Sequence, residues 1–126
     1  MIAALRVAAA SLLLLSAPAQ ACSCRPDAEL VAWLERVGLQ GEEVFVGRVV
    51  RLISPHEADI EVIEAFAGTA GAKRLRALDT TSCATIFKPD ERYIYLPEKG
   101  RISSCSRLPA SADYVERMRA VSRRSK

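Results

Sequence analysis

Four cysteines, Cys22, Cys24, Cys83 and Cys105, are the residues in this 126-residue chain best equipped for chemistry. Two of them stand one residue apart, in "ACSCRPD". Cysteines serve as disulfides, as redox thiols or as metal ligands, and spacing separates these uses. Redox thiols favour Cys-x-x-Cys in a βαβ setting, and neither feature is present. Structural zinc favours cysteine pairs roughly two to four residues apart, a poor match to Cys-x-Cys with two distant singles. Disulfides remain, and an even count of four permits three pairings. A bridge from Cys22 to Cys24 closes a very small ring against the geometry sulfur requires, so it is the least favourable of the three. Either other pairing ties both N-terminal cysteines to distant parts of the chain. Such loops enclose about 60 to 80 residues, and the chain-entropy model gives roughly 4 kcal/mol for one of them, less for the second because they overlap.

Other reactive groups build no catalytic constellation. His56 is the only histidine and lies in a predicted turn beside Pro55. No nucleophile partner is placed near it, which disfavours a Ser-His-Asp or Cys-His mechanism. The acids Glu42, Glu43, Glu57, Asp59, Glu61 and Glu64 fall in turns or on the outward face of an alternating strand, where a solvated surface is expected. The chain is therefore read as a non-enzyme, with no catalytic residue, no cofactor and no metal of its own.

The elements that must position the cysteines begin with a leader. Arg6 precedes an apolar run through Leu12, Leu13, Leu14 and Leu15, and Ala19 and Ala21 form an A-x-A site. Residues 1–21 read as a cleaved signal peptide, too short for the roughly 20 apolar residues of a membrane span. The mature chain then starts at Cys22, in a secreted or periplasmic compartment that favours oxidised cysteines. A lipid anchor on Cys22 is the alternative, disfavoured by Gln20 and by Ala19 where such sites usually carry Leu. Without Arg6 the mature chain holds 17 Lys and Arg against 15 Asp and Glu, and the sequence pI is 8.8. Scattered charge of this kind is no nucleic-acid footprint. The "RRSK" tail reads as a solvated terminus.

After Pro26, Asp27 reads as the cap of a helix over 28–37, with Leu30, Val31, Leu34 and Val37 at helical spacing and Gly38 ending it. Trp33 falls on or beside that stripe and is expected to pack in the core. "EVFVGRVVRLI" predicts a strand over 43–53, with Gly47 marking a bulge or bend. "SPHEAD" is a turn, and "DIEVIEAF" predicts a second strand with Ile60, Val62 and either Ala65 or Phe66 facing inward. "KRLRALDT" predicts a third strand, "RYIYLP" a fourth, and "RISSCS" a short fifth ending at Cys105. "SADYVERMRAVSRR" closes the chain as a helix capped by Ser111, with Tyr114, Val115, Met118 and Val121 on one face. The expected fold is mainly β: one monomeric domain over 22–126, a five-stranded OB-fold-like Greek-key barrel, disulfide-stapled, with flanking N- and C-terminal helices.

Taken together, cleavage before "CSCRP", then "VFVGRVV", an internal "SC", a "YIYL" strand and a final "CSR" resemble the netrin-like module. Within it the chain is most similar to the inhibitory N-terminal domain of tissue inhibitors of metalloproteinases, from Cys22 to about Arg107. The resemblance implies an OB-like barrel and the disulfides Cys22 to Cys83 and Cys24 to Cys105. It implies that the α-amino nitrogen and carbonyl oxygen of Cys22 chelate the catalytic zinc of a target metalloendopeptidase while Ser23 enters the adjoining specificity pocket. The partner so implied is a zinc metallopeptidase. The alternative is a non-inhibitory envelope or extracellular interaction domain, in one form a lipoprotein anchored at Cys22.

Overall fold

A computed structural model describes residues 24–39, 43–68, 71–78 and 85–125. In chain order these form α1 (Asp27–Val37), β1 (Val44–Ser54), β2 (Glu57–Ala67), β3 (Lys73–Ala77), β4 (Arg92–Tyr95), β5 (Arg101–Ile102), β6 (Arg107–Pro109) and α2 (Ala112–Arg124). The strands make one sheet in the order β5-β3-β2-β1-β4-β6, parallel only between β3 and β5. No helix among the described residues is long and apolar enough to cross a membrane.

Connectivity forces this sheet to curl. The strands β5 and β6 occupy its two edges, yet only residues 103–106 separate Ile102 from Arg107 in the chain. A flat six-stranded sheet would hold its edges about 24 Å apart, at roughly 4.8 Å per strand gap. Five residues reach at most about 18 Å when fully extended. Residues 103–106 are not extended, because Ser106 N–H donates to the Ser103 carbonyl across a tight turn (2.9 Å). The edges must therefore approach, and the sheet bends into a half-barrel whose seam is that turn.

The seam also explains why the short strand expected from Arg101 to Cys105 stops at Ile102. The Ser103 hydroxyl accepts from Cys105 N–H at 3.2 Å and lies 3.0 Å from the Ser106 hydroxyl. Serine side chains that bond nearby backbone favour turns over ladders. Pairing resumes as β6, which the sequence reading did not separate.

Two clusters sandwich the sheet. Phe45, Val49, Ile60, Leu75, Tyr95 and Ile102 pack on the face away from the helices, inside the curl. Val44, Val46, Ile94 and Leu108 meet Val31 and Leu34 of α1 and Met118 and Val121 of α2 on the other face. Strand β1 feeds both layers with successive residues, which is why "VFV" is uninterrupted apolar sequence. Gly47 belongs to the crowded inner layer: a Cβ there would lie 2.4 Å from Ile60 Cγ2 and 3.0 Å from Tyr95 Cδ2. The pairing also shifts beside it, since Val46 faces Glu64 while Gly47 faces Val62, leaving Ile63 as an extra residue. Such a bulge reverses the facing of the residues beyond it. Ile60 thus points into the curl, whereas Phe66 joins the helix-side cluster and Ala65 is exposed.

The helices are set by local chemistry. Ser111 caps α2, its hydroxyl accepting from Tyr114 N–H at 3.2 Å. Asp27 does not cap α1: Pro26 occupies that position with no side-chain bond, and its carbonyl accepts from Glu29 and Leu30 N–H at 3.0 Å each. Proline fixes the backbone at the helix entrance, so Asp27 becomes the first helical residue and supplies negative charge to the first turn. Gly38, at φ 83°, ends α1. Trp33 is not in the core; it is 38% exposed beside the buried pair Val31 and Leu34. The helices are clamped by Arg117 of α2, which donates twice to Glu35 of α1, and by Arg119, which donates twice to Glu64 of β2 at 2.7 and 2.8 Å.

Candidate functional site

The site begins at the seam. Cys24, the third residue of the predicted mature chain, is disulfide-bonded to Cys105 in the turn between β5 and β6, with Cα atoms 5.1 Å apart. Both cysteines are exposed, and Cys24 Sγ lies 3.9 Å from Ser104 Oγ. The bridge spans 81 residues, and the chain-entropy model gives roughly 4 to 5 kcal/mol for a loop of that length. Cys22, Ser23 and Cys83 lie outside the described residues, as do Glu42 and the predicted leader. Among the described residues, no cysteine is free and no group of three or more His, Cys, Asp or Glu could hold a metal ion.

The turn at Cys105 forms the floor of an open groove of about 480 Å³. Leu30, Trp33 and Val37 of α1 make one wall, and Leu96 and Glu98, between β4 and β5, make the other. The Arg25 guanidinium lies 5.6 Å from the centre of the Trp33 ring, within cation–π range. A second hollow opens on the other side of Trp33, lined by Arg25, Glu29, Ala32 and Arg36. The signal for this surface was present in the sequence: Trp33 and Val37 are four residues apart and outside the strict Val31, Leu34 pair. Helical spacing alone does not say that the facing loop stops short of covering them.

The acids are drawn apart rather than together. Glu57 pairs with Arg76, Asp59 with Arg51 and Arg74, Glu61 with Arg48, and Glu43 with Lys73, all between 2.8 and 3.5 Å. Hydrogen bonds from Arg74 hold the Asp59 carboxyl below its ordinary range, and Arg119 and Arg117 do the same for Glu64 and Glu35. A general acid at neutral pH needs the opposite displacement. His56 is exposed in its turn; its backbone N–H donates to Ser54 Oγ at 3.2 Å, and its Nδ1 lies 3.4 Å from the Thr85 carbonyl oxygen. These placements leave the carboxylates as a solvated, cation-paired surface.

Two polar groups in the interior, the hydroxyls of Thr85 and Tyr95, find no partner among the described residues. Tyr95 is fully buried against Phe45, 5.7 Å between ring centres, and its hydroxyl has no hydrogen-bond partner among the described residues. Burial pushes that phenol well above its ordinary pKa. On the adjoining surface Arg107 donates to Glu91 at 2.6 Å while lying over the Tyr93 ring, 4.0 Å from its centre. No protein-family model, no curated protein and no solved structure matches the chain.

Proposed function

We propose that this chain is an exported, monomeric, netrin-like protein of the OB type that inhibits a zinc metallopeptidase with its own N-terminus. Removal of residues 1–21 frees the α-amine of Cys22. That nitrogen and the Cys22 carbonyl oxygen close a five-membered chelate on the target's zinc, which keeps a coordination position open for water or substrate. Ser23 enters the neighbouring pocket, and Cys22 to Cys83 supplies a second anchor. The chelate needs an unprotonated amine, whose reference pKa of about 7.7 to 8.0 makes the proton cheap to displace.

The observation that carries the reading is the Cys24–Cys105 bridge at the seam. It fixes the chain two residues from the proposed ligand, so that binding need not order a loose end, and preorganisation of this kind converts into affinity. The curled sheet with two helices on one face supports the OB reading in its coarse shape.

The test uses the secreted mature protein against a panel of zinc endopeptidases, beside a form carrying one additional Ala before Cys22. The extension is expected to leave the fold intact and abolish inhibition, and potency of the native form is expected to fall roughly tenfold per pH unit below the amine's pKa. Equal potency of the two forms rejects chelation. A diacylglyceryl mass on Cys22 replaces this reading with a lipid-anchored interaction module.

A further inference from the structure

We infer that the groove beside Trp33 docks an extended segment of a protein partner that carries a bulky apolar side chain followed by a carboxylate. The apolar requirement comes from α1. Its inner face is complete without Trp33, because Val31 and Leu34 already fill the core at 0% and 1% exposure. Trp33 and Val37 instead stand 38% and 44% exposed along a groove of about 480 Å³, within the range of sites that enclose small ligands, about 300 to 1,000 Å³. Contiguous exposed apolar surface marks interaction sites, and tryptophan is prominent among residues that dominate binding.

The carboxylate requirement comes from charge. Arg48, Arg51, Arg74, Arg107, Arg117 and Arg119 each pair with an acid. Arg25 and Arg36, which flank Trp33 in the second hollow, make no ion pair among the described residues, and Glu29 is the single acid lining that hollow with them. In that hollow two guanidiniums against one carboxylate favour an incoming anion, and the planar guanidinium suits a carboxylate well, while Glu98 on the wall of the groove itself leaves the groove to the apolar side chain.

Position ties the groove to the inhibitor. Cys105 lines it and is bonded to Cys24, two residues after Cys22 in the chain, so a partner gripping Cys22 is within reach of the same surface. The inference rests on the proposed function only for where the partner sits.

Trp33 is the sole tryptophan and therefore reports binding by its own fluorescence. The mature, disulfide-bonded protein is titrated with the capped tripeptides acetyl-Phe-Asp-Asp-amide and acetyl-Phe-Lys-Lys-amide. A saturable emission change is expected for the acidic peptide, with affinity at least about tenfold weaker for the basic one. The double variant Arg25→Glu, Arg36→Glu changes only exposed side chains and reverses the preference. Val37→Glu weakens the acidic peptide while leaving the melting temperature near that of the parent. Absence of a saturable change, or equal affinity for both peptides, overturns the inference. So does an emission change that follows protein concentration without peptide, since a second copy would then occupy the groove. The Ala-extended form is expected to bind the acidic peptide as the native form does. Peptide binding without zinc-dependent inhibition therefore sinks only the chelation reading, and the converse result sinks only this one.

Discussion

Tyr95 carries the cost of a filled interior: its ring packs against Phe45, but its hydroxyl is shut away with no partner among the described residues. A buried hydroxyl without a partner costs roughly 1 to 3 kcal/mol in proteins. Tyr95→Phe is therefore expected to be neutral or to stabilise by up to about 1 kcal/mol, measured by urea unfolding at pH 7. Its pH dependence has a defined sign. The folded state holds the phenol above its ordinary value of 10.0, because burial disfavours the phenolate, so its ionisation leaves stability untouched below pH 10 and lowers it as pH rises beyond. Melting curves from pH 8 to 11 should fall more steeply for the parent than for the Phe variant. Gly47 is the complementary case, a missing side chain that the interior requires. Gly47→Ala drives a methyl to within 2.4 Å of Ile60 Cγ2 and should cost about 1 to 3 kcal/mol, read from the same urea unfolding. At this scale the sequence is readable where the rule is local, as with Ser111 at a helix start. It is silent where the neighbours come from other strands: nothing around Tyr95 or Trp33 in the chain says that one is sealed in and the other left out.

Between elements, guanidinium–carboxylate pairs do the joining. Arg119 holds Glu64 of β2, and Arg117 holds Glu35 of α1, so α2 is clasped on two sides. Both carboxyls are held below their ordinary value of 4.5 by these hydrogen bonds, so the clasp is intact above that value and released as pH falls through the lowered pKa. Glu64→Gln should lower the melting temperature by a few degrees at pH 7, and parent and variant should converge as pH falls below the lowered pKa. Partial exposure of both side chains and screening by salt keep the effect modest. The β1–β2 hairpin was legible as elements because alternation and β-branched residues reinforce one another over eleven-residue strands. Its facing was not, because the extra residue Ile63 transfers Phe66 from one cluster to the other, and period-two counting cannot see a bulge. The last strands failed for another reason. Residues 101–109 hold four successive serine and cysteine positions that prefer to turn, flanked by strands of two and three residues, too short to give a periodic signal.

For the whole molecule, the mainly β core with a helix at either end follows from composition and periodicity, while curvature follows from connectivity: two edge strands joined by four residues. Of the candidate site, the oxidation of Cys24 and Cys105 was readable from residue type and even count, and the seam that receives Cys24 was not, because it exists only once the sheet has bent. That seam has a mechanical consequence. Tension applied at Cys24 and at the C-terminus passes through the sulfur bridge and bypasses the 81-residue loop it closes, loading only the 21 residues beyond Cys105. In an optical trap the oxidised protein should lengthen by no more than about 75 Å of contour, and after reduction by about 370 Å, at roughly 3.6 Å per residue. A large extension under oxidising conditions would show that the bridge does not carry the load. An N-terminus gripped by a partner would thus be tugged against the sheet's closing corner, leaving α1 and β1 to β5 unstressed.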